Sequence, residues 1–315
     1  MRDDLQRMSN VTIGYNGITV ELYKIEEEPF ELIWRWYRET WEYLQQVEYD
    51  PTLDICQSAV QDVLNGVALP TPLESLGFEF RISGISRVAL AQITRGRIGW
   101  AYNVLSQMPN MITHNVTIPM NIGTSEKYAA RALELARLSQ ELYDDMVRDD
   151  IPPQDARYMT LHGQQTSLVA SCNYASLKGF FMMRAESGLT DELNLVARLI
   201  RSVLLTWSKI NKNKEWPQLV DRLDCLGAKQ GKCLIQDKVF GATGRFLPGS
   251  KRVAVPQSES HRFPENPVAD WDFTKSAWYL ELLELPDDLL FPGEKEMIER
   301  WKRGGSLLPD ESTLN

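Results

Sequence analysis

Residues 78–94 of this 315-residue chain combine a strand pattern, a glycine and a helix pattern in one short run. Residues 78–82 alternate apolar and polar side chains, which predicts a strand with one buried face. Gly84 interrupts the alternation, and the residues after it, through about Thr94, have the spacing of a helix. This stretch therefore predicts a fold that mixes strands and helices.

The predicted helix and the loop after it carry an unusual set of charges. Arg87, Arg95 and Arg97 lie in an otherwise apolar stretch at residues 85–107. A guanidinium group is permanently charged, and its N–H donors form a rigid fork that matches phosphate and carboxylate oxygens. Several of them at close spacing predict a site for an anionic, nucleotide-like ligand. Gly96 stands between two of these arginines.

The charge and hydrophobicity of the sequence exclude some classes of binding partner. The net charge of −9 argues against binding to bulk nucleic acid, because no excess positive charge attracts a polyanion. No apolar run approaches the roughly 20 residues needed to span a bilayer, and the first residues are too polar for a signal peptide. The four cysteines form no dense framework, which favours a reducing, cytoplasmic setting.

Hydrophobic patterns predict further elements. Alternation at residues 11–24 predicts two strands joined by the turn at Asn16-Gly17. Helical spacing predicts helices at 29–46, at about 125–148 and from near residue 190. Beyond about residue 210 the composition changes, and residues 225–270 are rich in glycine, proline, serine and charge. Helical spacing returns near 274–284 and 293–302. We therefore predict a main domain at residues 1–210 and a C-terminal extension of unknown role at 211–315.

The residue sets typical of many enzymes are absent from the sequence. None of the three histidines has a metal-binding spacing, and there is no nucleophile elbow, Walker loop or dinucleotide-binding glycine motif. The spacing of Cys225 and Cys233 does not fit a zinc knuckle, so no metal site is predicted. Cys172 is predicted to be a buried structural residue. Arg157 and Arg184 stand in apolar sequence, where the partner is either a bound anion or a structural ion pair.

Three blocks of the chain together resemble the flavin-dependent thymidylate synthases, which methylate dUMP with FAD, a reduced nicotinamide and methylenetetrahydrofolate. Residues 71–74 are similar to the family's TPFEH stretch, and residues 85–107 to its ISRxxxxQxxRHR signature with the LSQR that closes it. The third block follows the family's VP…AR…N…L…R pattern with Ile151, Pro152, Ala156, Arg157, Asn173, Leu177 and Arg184. The resemblance covers roughly residues 70–205.

The resemblance implies an α+β fold with helices packed on a mostly antiparallel sheet. It also implies a catalytic role for residues 1–210 and a homotetramer with active sites at subunit interfaces. The stripe from Trp34 to Trp41 serves either such an interface or the core. The residues implied to contact the nucleotide are Gln92, Arg95, Ser106, Arg157 and Arg184. Those implied to line the flavin are Thr71, Glu74, Arg97, Ile98 and Asn173.

The resemblance further implies that Arg95 and Arg184 take part in catalysis, with Arg184 facing the pyrimidine ring. An arginine aimed at a ring carbonyl would stabilise the negative charge that develops as C5 becomes nucleophilic. The flavin would supply the reducing hydride, and the protein would hold and polarise the ring.

Several positions depart from the family pattern. Gly96 and Ser75 replace histidines, Met108 replaces an arginine, and one extra residue lies between Arg97 and Ser106. Ala175, Gly179 and Gly188 stand where the family has polar flavin contacts. A missing hydrogen bond to a charged group costs about 1.5–3 kcal/mol where nothing replaces it.

Three explanations fit these departures. In the first, the missing groups come from the C-terminal region or another subunit. In the second, the substrate or the reaction differs, with dCMP in place of dUMP or hydroxymethyl transfer in place of methylation. In the third, the protein is a catalytically inactive nucleotide-binding or assembly protein. We favour folate-dependent one-carbon transfer to C5 of a pyrimidine deoxynucleotide monophosphate.

Overall fold

A computed structural model describes residues 11–107, 115–123, 125–184, 191–223, 285–291 and 294–303. The chain divides into two compact units. The first comprises the described residues within 1–106, 165–181 and 199–223, and the second comprises those within 107–164, 182–198 and 224–315.

The first unit is built on an antiparallel sheet. Among the described residues, the strands of this sheet are β1 (Val11–Tyr15), β2 (Ile18–Lys24), β3 (Gly77–Ser86), β4 (Trp100–Val104) and β5 (Gln165–Asn173). Their order is β1-β2-β3-β5-β4, and every neighbouring pair is antiparallel. The alternation predicted at residues 78–82 is confirmed, because Phe78, Phe80 and Ile82 are buried.

Two glycines shape the β1–β2 hairpin and its neighbour β3. Asn16 and Gly17 both have positive φ, as a tight two-residue hairpin turn requires, and they pair Tyr15 with Ile18. Gly84 lies at a bulge in β3 with φ of +81°, and a Cβ there would lie 2.0 Å from the Gly17 carbonyl oxygen. Because no other residue fits this approach, Gly84 is a requirement of the fold.

Helices account for most of the remaining described residues. They are α1 (Pro29–Arg38), α2 (Asp54–Asn65), α3 (Arg87–Ile93), α4 (Met120–Gly123), α5 (Ala129–Arg148), α6 (Pro153–Ala156), α7 (Tyr174–Arg184), α8 (Asp191–Ile210), α9 (Trp216–Leu223) and α10 (Glu294–Lys302). Short 3-10 helices lie at Glu42–Leu44, Thr71–Ser75, Arg157–Met159 and Asp287–Leu289. None of the helices in the described part of the chain has the length and apolar character needed to cross a bilayer.

The single helix predicted at 29–46 is wrong in its second half. Helix α1 ends at Arg38, Trp41 is extended, and a 3-10 helix follows at Glu42–Leu44. Trp34 and Leu44 lie in the same buried cluster. A straight helix rises about 1.5 Å per residue and would carry them roughly 15 Å apart, so the chain must turn between them. Trp34 thus belongs to the core, whereas Trp41 is exposed.

Helix α9 lies beyond residue 210 and nonetheless joins the core of the first unit. The Trp216 ring packs 5.1 Å from the ring of Phe78, centroid to centroid, and its indole N–H donates to the Glu26 carbonyl at 2.7 Å. The helix predicted near 293–302 is also confirmed, as α10 of the second unit. The helical pattern near 274–284 and the glycine- and proline-rich stretch lie outside the described residues.

The second unit contains the long helix predicted near 125–148, which begins at Ala129. Tyr143 is buried against Ala156. The leucines of this helix that recur at helical spacing, Leu135, Leu138 and Leu142, are however exposed. The prediction of an amphipathic helix is therefore confirmed, while the apolar face remains uncovered by the described residues.

Candidate functional site

Helix α3 begins the arginine-rich segment of the first unit. Ser86, the last residue of β3, is buried and caps the helix, with its Oγ accepting from the Ala89 N–H at 3.1 Å. Ala89, Leu90 and Ile93 are buried. Gln92, beside this buried face, is half-buried, and Arg95, just beyond the end of the helix, is exposed.

The loop after α3 is fixed by Tyr102 of β4. The Tyr102 hydroxyl donates to the Ile93 carbonyl at 2.9 Å, which satisfies one of the last carbonyls of the helix. Burial raises the pKa of Tyr102, and the nearby charge of Arg97 opposes that shift. The ring stacks on Trp100 at a centroid distance of 5.6 Å. Arg95 and Arg97 therefore project from a loop with an ordered base.

The end of this loop is bound to the start of α7. Ser176 Oγ donates to the Ile98 carbonyl at 2.9 Å, and the Ser176 N–H donates to Asn173 Oδ1 at 2.9 Å. The Asn173 N–H in turn donates to the Gly99 carbonyl at 3.4 Å. Gly99 has φ of +68°, and a Cβ there would lie 2.0 Å from Ser176 Oγ. The structure thus brings together Ile98 and Asn173, two residues predicted to line the flavin.

The segment with Thr71 and Glu74 adjoins the same strand end. The 3-10 helix Thr71–Ser75 leads into β3, whose first residue, Gly77, pairs with Asn173. The Leu76 carbonyl accepts from the Tyr174 N–H at 2.9 Å. The segments that carry the predicted flavin-lining residues of the first unit are therefore neighbours in space.

Most predicted site residues of the first unit face solvent. Ile98 is 93% exposed, the largest value among the exposed apolar side chains of the described residues. The exposed polar members of the set are Thr71, Glu74, Arg95, Arg97 and Ser106. An apolar side chain held open on a hydrogen-bonded loop directly after two arginines has the chemistry that suits an anionic ligand with a flat apolar ring.

The departures from the family pattern have different structural meanings. The Ser75 hydroxyl donates to the Pro72 carbonyl at 2.7 Å, within its own 3-10 helix. Gly96 has no left-handed backbone angle, and a Cβ there would meet nothing closer than 3.5 Å. A Cβ at Gly179 would have no neighbour within 4 Å. Ala175 is exposed. The fold itself therefore requires neither of these two glycines.

Four other positions named from the sequence lie outside the described residues: Met108, Gly188, Cys225 and Cys233. Cys172 is buried, as predicted, and burial raises the pKa of its thiol. A buried thiol held protonated is a poor nucleophile, so Cys172 is a structural residue.

Arg157 and Arg184 belong to the second unit. Arg157 follows the short helix α6, and its carbonyl accepts from the Thr160 N–H at 3.1 Å and from the Thr160 hydroxyl at 2.8 Å. Arg184 is the last residue of α7 and is half-buried, and burial lowers the pKa of its guanidinium group. The Arg184 carbonyl accepts from Asn194 Nδ2 at 3.0 Å. Both arginines thus stand where the local backbone is held by side-chain hydrogen bonds.

Sequence reasoning missed three residues that hold the loop in place: Tyr102, Ser176 and Gly99. Tyr102 reads in sequence as an ordinary strand residue, and Ser176 lies 78 residues from the carbonyl that it binds. Gly99 offered a signal, since a glycine directly after a charged loop often marks a positive φ or a close approach.

The fold is similar to that of a UMP/dUMP methylase, PolB from Streptomyces cacaoi, whose crystal structure holds 5-Br dUMP. The two structures superpose with a TM-score of 0.50 at 17% sequence identity, over 61% of this chain and 90% of that one. At this identity the likeness concerns the fold, and it confirms the prediction of helices packed on an antiparallel sheet.

The sequence defines the family. A family model described as thymidylate synthase complementing protein matches residues 28–208, which is more than half of the chain. The chain therefore belongs to this family, and the resemblance stated from its motifs is confirmed.

Two relatives named flavin-dependent thymidylate synthase show how similar this chain is to known sequences. The Sulfurisphaera tokodaii protein is 29% identical over 162 residues, covering 51% of this chain and 61% of its own length. The Thermococcus onnurineus protein is 24% identical over 226 residues, covering 67% of this chain and 89% of its own. The chain thus spans about three fifths of the first relative's length.

Proposed function

We propose that this protein transfers a one-carbon unit from methylenetetrahydrofolate to C5 of a pyrimidine deoxynucleotide monophosphate, with FAD and NADPH. The catalytic region is residues 1–210, and the setting is cytoplasmic. The observation that carries the proposal is the loop between α3 and β4, where Arg95, Arg97 and the exposed Ile98 stand on a base held by Tyr102 and Ser176.

The nucleotide would be held by the arginines and their polar neighbours. Gln92, Arg95, Ser106 and Arg157 contact the nucleotide, and Arg95 contributes a charged fork suited to the phosphate. Arg184 faces the pyrimidine ring and stabilises the negative charge that develops on a ring carbonyl as C5 becomes nucleophilic. The half-buried setting of Arg184 strengthens this effect, because a charge acts more strongly where water is displaced.

The flavin would lie along Ile98 and Asn173. Ile98 offers an apolar side chain that is 93% exposed. The Asn173 amide uses its Oδ1 for the Ser176 N–H, so its Nδ2 would be the donor to a ligand. Thr71, Glu74 and Arg97 supply further polar contacts. These groups fit a ligand that combines a flat ring with phosphates, and the bound flavin supplies a hydride.

Two outcomes of the transfer balance chemically. In both, a bond forms between C5 and the methylene carbon, the folate nitrogen departs, and the C5 proton is lost. A hydride then completes a methyl group, or water adds its oxygen to give a hydroxymethyl group. Gly96 and Gly179 leave fewer side chains for a flavin than the family pattern has, which is the reason to test dCMP and hydroxymethyl transfer beside dUMP methylation.

A homotetramer accounts for the exposed leucines of α5. Leu135, Leu138 and Leu142 recur at helical spacing and are 44–56% exposed. An apolar stripe of this kind is typical of an interface between copies of one chain. Light scattering after size exclusion measures the assembly, and Leu138→Glu should dissociate it.

Product analysis tests the reaction. The protein is incubated with dUMP or dCMP, methylenetetrahydrofolate, FAD and NADPH, and the nucleotide is weighed by mass spectrometry. The methyl and hydroxymethyl products differ by one oxygen atom, so a single measurement identifies both substrate and reaction. If neither nucleotide gains mass, both versions of the enzyme are refuted, and the inactive nucleotide-binding or assembly protein becomes the function to test.

Two further measurements separate binding from catalysis. The purified protein should take up FAD and show a flavin absorption band; a protein that stays colourless with added FAD would contradict the flavin site. Arg184→Ala should abolish turnover while the thermal unfolding temperature changes little, since its side chain is half-buried and ends a helix. Turnover equal to that of the wild type would contradict its role at the ring.

A further inference from the structure

The second unit contains a fully buried ion pair. Arg198 of α8 and Glu294, the first residue of α10, each expose 1% of their side chains. Arg198 Nη2 donates to Glu294 Oε1 at 2.8 Å, and Nη1 donates to Oε2 at 2.5 Å. This two-point contact joins residues that are 96 positions apart and holds the C-terminal helix on α8.

Two further donors of Arg198 are bound to neutral acceptors. Nη1 donates to the Leu289 carbonyl at 3.0 Å, and Nε donates to Asn194 Oδ1 at 2.9 Å. The guanidinium carbon lies 4.3 Å from the centroid of the Phe291 ring. The Phe291 N–H donates to Glu294 Oε2 at 2.9 Å. The guanidinium plane therefore has one orientation, which is fixed from four sides.

Asn194 extends this network to Arg184. The Asn194 side chain is buried and uses both ends of its amide: Oδ1 accepts from Arg198 Nε, and Nδ2 donates to the Arg184 carbonyl at 3.0 Å. That carbonyl is among the last of α7, where a helix leaves carbonyls without partners of its own. A continuous chain of bonds thus runs from Glu294 through Arg198 and Asn194 to the backbone of Arg184.

We propose that Asn194, Arg198 and Glu294 are positioning residues for Arg184, so that residues 285–291 and 294–303 support the contact of Arg184 with the nucleotide. This role rests on the proposed function, in which Arg184 faces the pyrimidine ring. A buried ion pair contributes little net stability compared with apolar side chains of the same size. Its distinctive contribution is that it fixes the geometry of the groups bound to it. Here those groups include, through Asn194, the backbone carbonyl of Arg184.

Asn194→Asp tests the last bond of the network. The aspartate keeps an oxygen for Arg198 Nε but replaces the donor to the Arg184 carbonyl with a second oxygen. Ser208→Ala is the matched control, because Ser208 is also buried in α8 and its hydroxyl donates to the Leu204 carbonyl at 2.7 Å. Glu294→Gln is the second variant, which keeps the shape of the side chain and leaves Asn194 in place.

Binding of two probes gives the first readout. The dissociation constants of dUMP and of 2′-deoxyribose 5′-phosphate, which lacks the ring, are measured by calorimetry. We expect Asn194→Asp to weaken dUMP about tenfold and the ring-free probe less than twofold, with Glu294→Gln acting in the same direction and Ser208→Ala without effect. Equal weakening of both probes, or wild-type affinity for dUMP in Asn194→Asp, overturns the positioning role.

Chemical labelling of Arg184 gives a readout that needs no ligand. The rate at which phenylglyoxal modifies Arg184 is followed by mass spectrometry of peptides. We expect a severalfold faster rate in both Asn194→Asp and Glu294→Gln, because the helix end is released, and no change in Ser208→Ala. An unchanged rate overturns the network. If the labelling changes as expected but the wild-type protein binds neither dUMP nor dCMP, the proposed function fails, and the role in nucleotide binding fails with it.

Discussion

Replacing Glu294 by alanine should lower the free energy of unfolding by about 3–5 kcal/mol, because the change leaves a buried arginine without its counter-ion. Arg198 exposes 1% of its side chain, so water cannot replace the carboxylate. Two acceptors remain for it, the Leu289 carbonyl and Asn194 Oδ1, and neither carries a charge. Many domains have a total stability of only about 5–15 kcal/mol, so the expected loss is easily measured.

Urea unfolding followed by circular dichroism provides the assay, with Glu141→Ala as the control. Glu141 pairs with Arg137 on α5, where both side chains are about half exposed, so its loss should cost far less than the loss of Glu294. Replacing Arg198 and Glu294 together by leucine should cost less than Glu294→Ala alone, since no uncompensated charge remains. A loss below about 1 kcal/mol in Glu294→Ala would refute the argument, because the guanidinium would then not depend on the carboxylate.

Three further predictions follow from single residues of the first unit. Gly84→Ala should cost about 1–3 kcal/mol of unfolding free energy from its left-handed backbone alone, and more from the clash with Gly17; unfolding at wild-type stability would contradict the bulge geometry. Gly96→His should fold normally and bind dUMP or FAD more tightly, as calorimetry would show; a misfolded variant would contradict the open space there. Burial raises the pKa of the Glu215 carboxyl. The protonated carboxyl therefore contributes stability at low pH, and this contribution is lost as pH rises above about 4.3, the usual pKa of a glutamate. In urea unfolding, Glu215→Gln should therefore become more stable relative to the wild type as pH rises above about 4.3, the unfolded value; parallel curves of stability against pH would count against this.

The sequence predicted the elements whose signal is local. The alternation at 78–82 indicated a strand, and Asn16-Gly17 indicated a hairpin, because side-chain period and turn chemistry act over a few residues. The helix at 29–46 was predicted too long, since nothing local shows that Leu44 must return to the cluster of Trp34. That requirement comes from packing, which sequence periodicity does not record.

The sequence predicted which residues belong to the candidate site, but not the hydrogen bonds that hold them in place. The motif order identified Arg95, Ile98 and Asn173, and the structure brings the last two into one hydrogen-bonded cluster through Ser176. The bonds that fix such residues join positions far apart in the chain, as between Arg198 and Glu294. Pairings of that kind follow from the folded backbone, so no spacing rule could have found them.

The geometry around Gly96 bears on why the motif changed. A glycine can be retained because the backbone is left-handed, as at Gly84, or because a neighbour fills the space of a side chain, as at Gly99. Neither holds at Gly96, where a Cβ would make ordinary contacts with Tyr102 and Trp100 at 3.5 and 3.7 Å. Since a Cβ fits there, we expect the missing histidine to change ligand contacts in the proposed site and not the folding. A loop without this side chain would admit a bulkier or differently charged group beside Arg95 than the family motif allows, so in the proposed site position 96 would determine which nucleotide or cofactor atom the loop contacts.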